Sequence, residues 1–171
     1  MSYQVNYGTI KANALVVSLD LAKQNSRIEY TDEDDLFQLF VEAAGLEIEN
    51  YLGRPILERE DASIQLNRWP TSFTIPFPVN GITAIKYGTQ TVDVADYSLF
   101  ANELQMEIEE PVDFTSPLTI EINIGYLTAN IPADIKRAAL MIFSRSDTYR
   151  EDMPIKLETS VKALLRSYKM Y

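Results

Sequence analysis

The densest apolar pattern in the chain lies between Thr31 and Pro55, reading TDEDDLFQLFVEAAGLEIENYLGRP. Its period is helical. Apolar residues from Leu36 and Phe37 to Tyr51 and Leu52 cover more than half of a helical wheel, and Gln38, Glu42, Gly45 and Glu49 form the remaining polar ridge. Thr31 with Asp34 three residues on reads as a capping box, and the acids Asp32 to Asp35 suit the positive end of the helix dipole. Gly53 and Pro55 supply the stop. A helix lying on a surface needs an apolar stripe of roughly 100°. The surplus here predicts burial against more of this chain or against a neighbouring copy, with Leu39 and Leu46 as candidate subunit contacts.

Upstream, residues 1–14 show no sustained period and read as an N-terminal arm. Ser18 can cap a short helix over Leu19–Gln24. Downstream of Pro55 the period drops to two. Short alternating runs occur at Ile64–Asn67, Phe73–Ile75, Ile82–Tyr87, Tyr97–Phe100 and Gln105–Ile108. The cleanest is Leu118–Ile124, where Leu118, Ile120, Ile122 and Ile124 point one way and Thr119, Glu121 and Asn123 the other. Frequent turn residues and five prolines between 70 and 117 favour a small antiparallel sheet or sandwich.

Helical spacing returns after Ile131. Ile135, Ala138, Ala139, Ile142, Ser146 and Tyr149 form one stripe, small enough in places for the Thr31–Leu52 helix to approach closely. Leu140 and Met141 lie off that stripe and add two more candidate subunit contacts; Pro154 should end the element. A final amphipathic segment carries Leu157, Val161, Leu164, Leu165 and Tyr168 on one side and Lys162, Arg166 and Lys169 beside them. The order helices, strands, helices predicts an α+β fold: a helical core built from the N- and C-terminal segments, with an antiparallel β subdomain inserted. The expected divisions are an arm over 1–14, core segments over 15–55 and 131–171, and the β insertion over 56–130.

Composition removes most chemistry. The chain of 171 residues contains neither cysteine nor histidine, which excludes thiolate metal sites, a thiol nucleophile and a Ser-His-Asp triad. Glycine-rich phosphate loops are missing, and Asp32–Asp35 lacks the spacing of a calcium loop. Acidic pairs are plentiful, but runs of acids are usually solvated surface, so a carboxylate hydrolase is the weakest reading. No catalytic, metal or cofactor site is expected. A net charge of −10, with 25 acids against 15 bases, argues against tight nucleic-acid binding. Met1 to Gly8 does not read as a signal peptide, and no run approaches a membrane span. A soluble protein made in a cytoplasm is expected.

Glu47 falls inside the apolar sector of the first long helix. Either it sits at the helix edge and reaches water, or, since a buried unpaired carboxylate is costly, it pairs with an arginine: Arg137 or one on a neighbouring subunit. With the arginine on a neighbour, Glu47→Gln would spare the isolated chain and weaken an assembly. The basic tail, with Lys162, Leu165, Arg166, Tyr168, Lys169 and Tyr171, is the best candidate for partner contact, since Arg and Tyr are favoured interface anchors. A second class of function is a carbohydrate- or protein-binding β module, with Trp69, Tyr87, Tyr97 and Tyr126 as its aromatic platform.

These residues also resemble a known family. Thr31–Ile56, with Tyr51-Leu52-Gly53-Arg54 at its end, is similar to the opening helix of the head–tail connector (adaptor, or head completion) proteins of tailed bacteriophages. Val17–Ile28 resembles the short first helix of that family. Ile131–Asp152 resembles its second long helix, through Pro132, Ile135, Lys136, Ala138 and the Tyr149-Arg150-Glu151 end. Val161–Tyr168 resembles its terminal segment. Ser146-Asp147 departs from the pattern, where a more apolar pair is expected. The β region matches only in pattern, as in longer members with a β insertion. The resemblance implies a structural virion protein at the head–tail junction, without enzymatic activity or cofactor. It implies a ring of twelve copies that extends the DNA channel below the portal, contacting the portal protein and a neck, tail-completion or tail protein. DNA would pass through without sequence-specific binding, and no membrane is involved. The basic tail would make the portal or neck contact.

Overall fold

The computed structural model describes residues 2–149 and 157–169. The chain divides into two units, each assembled from two separate stretches: residues 1–12 with 58–126, and residues 13–57 with 127–171. The fold is α+β with antiparallel sheets.

In the helical unit, Ser18 starts α1 (Leu19–Ser26) by accepting the Leu21 N–H at 3.2 Å. α2 (Asp34–Leu52) begins after the expected cap, and the Asp34 N–H bonds only the Thr31 carbonyl, at 3.2 Å. The capping box is absent because the Asp34 carboxylate serves Lys23 of α1 instead. Lys23 is 8% exposed, and a buried ammonium needs that counter-charge more than the helix end needs a second cap. Gly53 closes α2 in the left-handed region, at φ 70°. α3 (Ala133–Thr148) follows Pro132, and α4 (Thr159–Leu165) runs on into a 3-10 turn over Arg166–Tyr168. Pro154 lies outside the described residues.

α2 and α3 pack along the small-residue stripe. Ile135, Ala138, Ala139 and Ile142 are buried with Val41, Ala44 and Ile48 of α2. Three phenylalanines cross this seam: Phe143 lies 5.9 Å from Phe37 and 6.5 Å from Phe40, ring centre to ring centre. Ser146 is buried and donates to the Ile142 carbonyl at 3.0 Å, which is how a polar residue fits a helical seam. Tyr149, at the stripe's end, is 52% exposed.

The outward side of α2 is not the polar ridge that its pattern suggests. Gly45 and Glu49 of that ridge are buried, whereas Leu39, Ala43 and Leu46 are exposed. The cause is the return of the chain after Gly53. Leu57 and Val16 come so near Gly45 that a Cβ there would meet each at 3.4 Å. One oxygen of the Glu49 carboxylate accepts the N–H groups of both Ile56 and Leu57 at 2.8 Å. A carboxylate in this place satisfies two buried donors that no helix or strand reaches. Glu49→Ala should therefore lower the unfolding free energy by about 2–4 kcal/mol, the cost of stranding both donors. Urea unfolding followed by circular dichroism measures it.

The β unit holds β1 (Tyr3–Asn6), β2 (Thr9–Ile10), β3 (Arg59–Leu66), β4 (Ser72–Thr74), β5 (Val79–Tyr87), β6 (Gln90–Thr91), β7 (Tyr97–Phe100), β8 (Glu103–Met106) and β9 (Leu118–Ile124). One antiparallel sheet has the order β1-β3-β9-β5-β6, with β2 also on β3; the other has the order β4-β8-β7. In β9, Leu118, Ile120, Ile122 and Ile124 are all buried, as their alternation requires. They share a core with Ile64 and Leu66 of β3, Ile85 of β5, Leu104 and Met106 of β8, and Ile75 and Phe77.

The first residues are not an arm. Tyr3–Asn6 pairs with Ser63–Leu66, and Thr9–Ile10 with Arg59–Glu60. Gly8, at φ 62°, makes the break between them, where a Cβ would lie 2.0 Å from the Glu60 carbonyl oxygen. Tyr7 stacks edge-on to Phe77 at 5.8 Å, and Lys11 pairs with Glu58 at 2.8 Å. The hydrogen bond and charge of Glu58 hold the Lys11 ammonium above the ordinary lysine range. The alternation of Tyr3, Val5 and Tyr7 was the available signal, too short to sustain a period, and the strand that pairs with it lies some sixty residues away in sequence.

Candidate interaction faces

Several acids serve the fold. Asp34 holds Lys23, Glu58 holds Lys11, Glu121 holds Lys86 and Glu107 accepts from Ser98. Among the described residues, no three acidic side chains gather as metal ligands would. No described helix is long and apolar enough to cross a membrane.

The aromatics of the β unit do not form an open platform. Trp69, Tyr87 and Phe114 meet as a triangle of tilted and edge-on rings, with centres 5.5 to 5.8 Å apart. All three are partly buried against the sheet core, as is Tyr97. Their geometry plugs the core, and burial pushes the Tyr87 hydroxyl pKa up. Phe100, which the pattern did not single out, is the exposed ring. It stands 83% exposed where the β7–β8 hairpin turns through Ala101 and Asn102, both at positive φ. Asn102 fixes that turn, its carbonyl accepting the Ile75 N–H at 2.8 Å and its side-chain oxygen the Val79 N–H at 3.3 Å. The Phe-Ala-Asn-Glu run at a hairpin turn was the available signal.

On the helical unit, α2 turns an apolar ridge to solvent. Leu39 is 58% and Leu46 43% exposed, with the small Ala43 between them and the acids Asp35 and Glu42 beside them. The spacing of 39, 43 and 46 puts them on one line along the helix. Leu140 and Met141 are half-buried and line an open groove along α3 of about 420 Å³, together with Arg137, Ser144, Thr148 and Tyr149.

Glu47 does not reach Arg137 or wait for a neighbour. Its carboxylate takes Arg145 of the same chain, with Nη2 donating to Oε1 at 3.0 Å and to Oε2 at 2.8 Å. The Arg145 side chain is 5% exposed and Glu47 32%, so the arginine is the partner that cannot find water. Its Nε and Nη1 are buried with no hydrogen-bond partner among the described residues. Among the described residues the Glu47 carboxylate answers this charge, so the arginine partner expected for Glu47 is found within its own chain.

The C-terminal candidates separate. Leu165 is fully buried and Val161 nearly so, packed under α4, so Leu165 cannot be a portal or neck contact. Its place in the apolar stripe puts it in the core. Arg166 is exposed, while Lys162, Tyr168 and Lys169 are half-exposed. The Lys169 ammonium sits 4.9 Å from the centre of the Tyr51 ring, a cation–π contact that ties this end of the chain to α2. Tyr171 lies outside the described residues.

Comparison with known proteins places these faces in context. The chain is similar in fold to a protein in the neck of an empty gene transfer agent particle, computed with sixfold symmetry. The identity is 17%, the TM-score 0.70, and the match covers 98% of this chain and 96% of the other. A chain in the virion of the native gene transfer agent matches at 16% identity and TM-score 0.68, over 98% and 95% of the two chains. A third, in the native neck computed with twelvefold symmetry, matches at 16% identity and TM-score 0.62, over 98% and 96%. No curated protein matches. Residues 15–169 match the model of the family described as head completion protein, which takes in both helical stretches and the β insertion between them. The chain belongs to the head completion protein family.

Proposed function

We propose that this chain is a virion protein that forms a ring between portal and tail, extends the DNA channel and joins head to tail. Membership of the head completion family gives it a structural role at the head–tail junction. The observation that carries the ring is the ridge Leu39–Ala43–Leu46, apolar and open to water on a helix whose opposite side, through Phe37, Val41, Ala44, Ile48 and Leu52, is buried. A monomer gains nothing by exposing that row, whereas a ring of identical copies covers it. The gene transfer agent necks that share the fold were computed with sixfold and twelvefold symmetry, which supports twelve copies. The net charge of −10 suits a channel wall, because DNA repelled by its lining slides instead of sticking.

In this reading Leu39, Leu46, Leu140 and Met141 meet sister chains, and Lys162, Arg166, Tyr168 and Lys169 meet the portal or the next neck or tail protein. Electron microscopy of the purified chain, with and without the portal of the same virus, tests the ring. Closed rings on the portal are expected; portals that stay bare at saturating chain would sink the reading. The double variant Lys162→Ala/Arg166→Ala should keep its circular dichroism and lose about tenfold in portal affinity, roughly 1.4 kcal/mol. Unchanged occupancy in a pull-down would move the portal contact elsewhere.

A further inference from the structure

The ridge of α2 and the groove of α3 differ in shape and in charge. The ridge carries Asp35 and Glu42 along its flank and no base, while the groove opens beside Arg137, which is exposed and makes no ion pair among the described residues. Arg145 also lines the groove, but Glu47 answers its charge, and Glu158 is the groove's own acid. Two ridges brought together would set Asp35 and Glu42 of one copy against the same acids of the other. Two grooves would set Arg137 against Arg137. Ridge into groove puts the apolar row against Leu140 and Met141 and sets acid against base at Arg137, while Ser144 stays engaged with Asn25 and Ser26 of α1 in its own chain.

We infer that adjacent copies meet head to tail, the Leu39–Ala43–Leu46 ridge of one copy seated in the Leu140–Met141 groove of the next, with Arg137 answering Asp35 and Glu42. The partner is a second copy of this chain. The contact uses two different faces, so it is heterologous: it leaves a free ridge at one end and a free groove at the other until a ring closes. This rests on the ring reading and adds which surfaces make it.

The chain has no cysteine, so single thiols can be placed without background. Leu46→Cys and Met141→Cys variants are assembled on portals separately and as an equal mixture, then treated with a short bis-maleimide. The same samples are viewed by electron microscopy. Covalent dimers should appear only in the mixture, and the double variant Leu46→Cys/Met141→Cys should give a ladder of multimers. Arg137→Glu placed in the Met141→Cys chain should abolish the cross-link, and Asp35→Arg/Glu42→Arg in the Leu46→Cys chain should restore it. Cross-links within either single variant, or none in the mixture while rings are visible, would overturn this pairing and leave the ring intact. Absence of rings for the unmodified chain would overturn the ring reading itself.

Discussion

Phe143→Ala is expected to lower the unfolding free energy of the helical unit by about 3–5 kcal/mol, the range for an aromatic removed from a packed core. Phe143 is wholly buried, and its ring is shared between Phe37 and Phe40 across the α2–α3 seam. Each ring pair adds about 0.5–1.5 kcal/mol to the area term. The seam is lined by Ala138, Ala139 and Ala44, which are too short to fill the space left behind, so the site collapses poorly. The effect should be local in its reporter. The sole tryptophan, Trp69, sits in the β unit and senses that unit, while helical circular dichroism senses the other. A large drop in the urea midpoint by circular dichroism, with an unchanged slope, is the expected result. A loss below about 1 kcal/mol would mean that α2 and α3 repack without the ring.

Glu47→Gln should cost the isolated chain about 3 kcal/mol, the lower end for breaking a buried pair because Glu47 itself keeps some contact with water. The loss comes from the partner. Arg145 stays buried, already lacks bonds at Nε and Nη1, and loses the counter-charge on Nη2. The opposite expectation, a silent change in the monomer and a weakened assembly, follows only when the arginine belongs to a neighbour. Comparing Glu47→Gln, Arg145→Met and the double variant in a thermodynamic cycle decides between them. A coupling near zero would show that the pair is incidental. A double variant more stable than Glu47→Gln alone would show that the lone charge, not the missing bond, does the damage.

Several features were legible because they are local. Ser18 caps α1, Gly53 stops α2, and the alternation of Leu118–Ile124 assigns every side chain of β9 to the correct face. The small stripe of α3 named its partner helix correctly, since only α2 offered a matching surplus. Other features needed chain distant in sequence. The brief alternation of Tyr3, Val5 and Tyr7 becomes a strand because β3 offers it an edge. Glu47 and Arg145 are 98 residues apart, and ten other arginines and lysines of the two helical stretches, Arg137 among them, offer the same charge.

The sequence by itself determined where the long helices and the central strand β9 run, that apolar surface is in excess, and that no histidine or cysteine chemistry is available. Only the tertiary structure decided which part of the excess stays outside. A helix apolar on nearly all sides has no intrinsic preference for the face it turns to solvent. The chain returning after Gly53 made the choice, by pressing Leu57 against Gly45 and lending two N–H groups to Glu49. That drew Gly45 and Glu49 of the nominally polar ridge inward and left Leu39, Ala43 and Leu46 in the water beside Glu42.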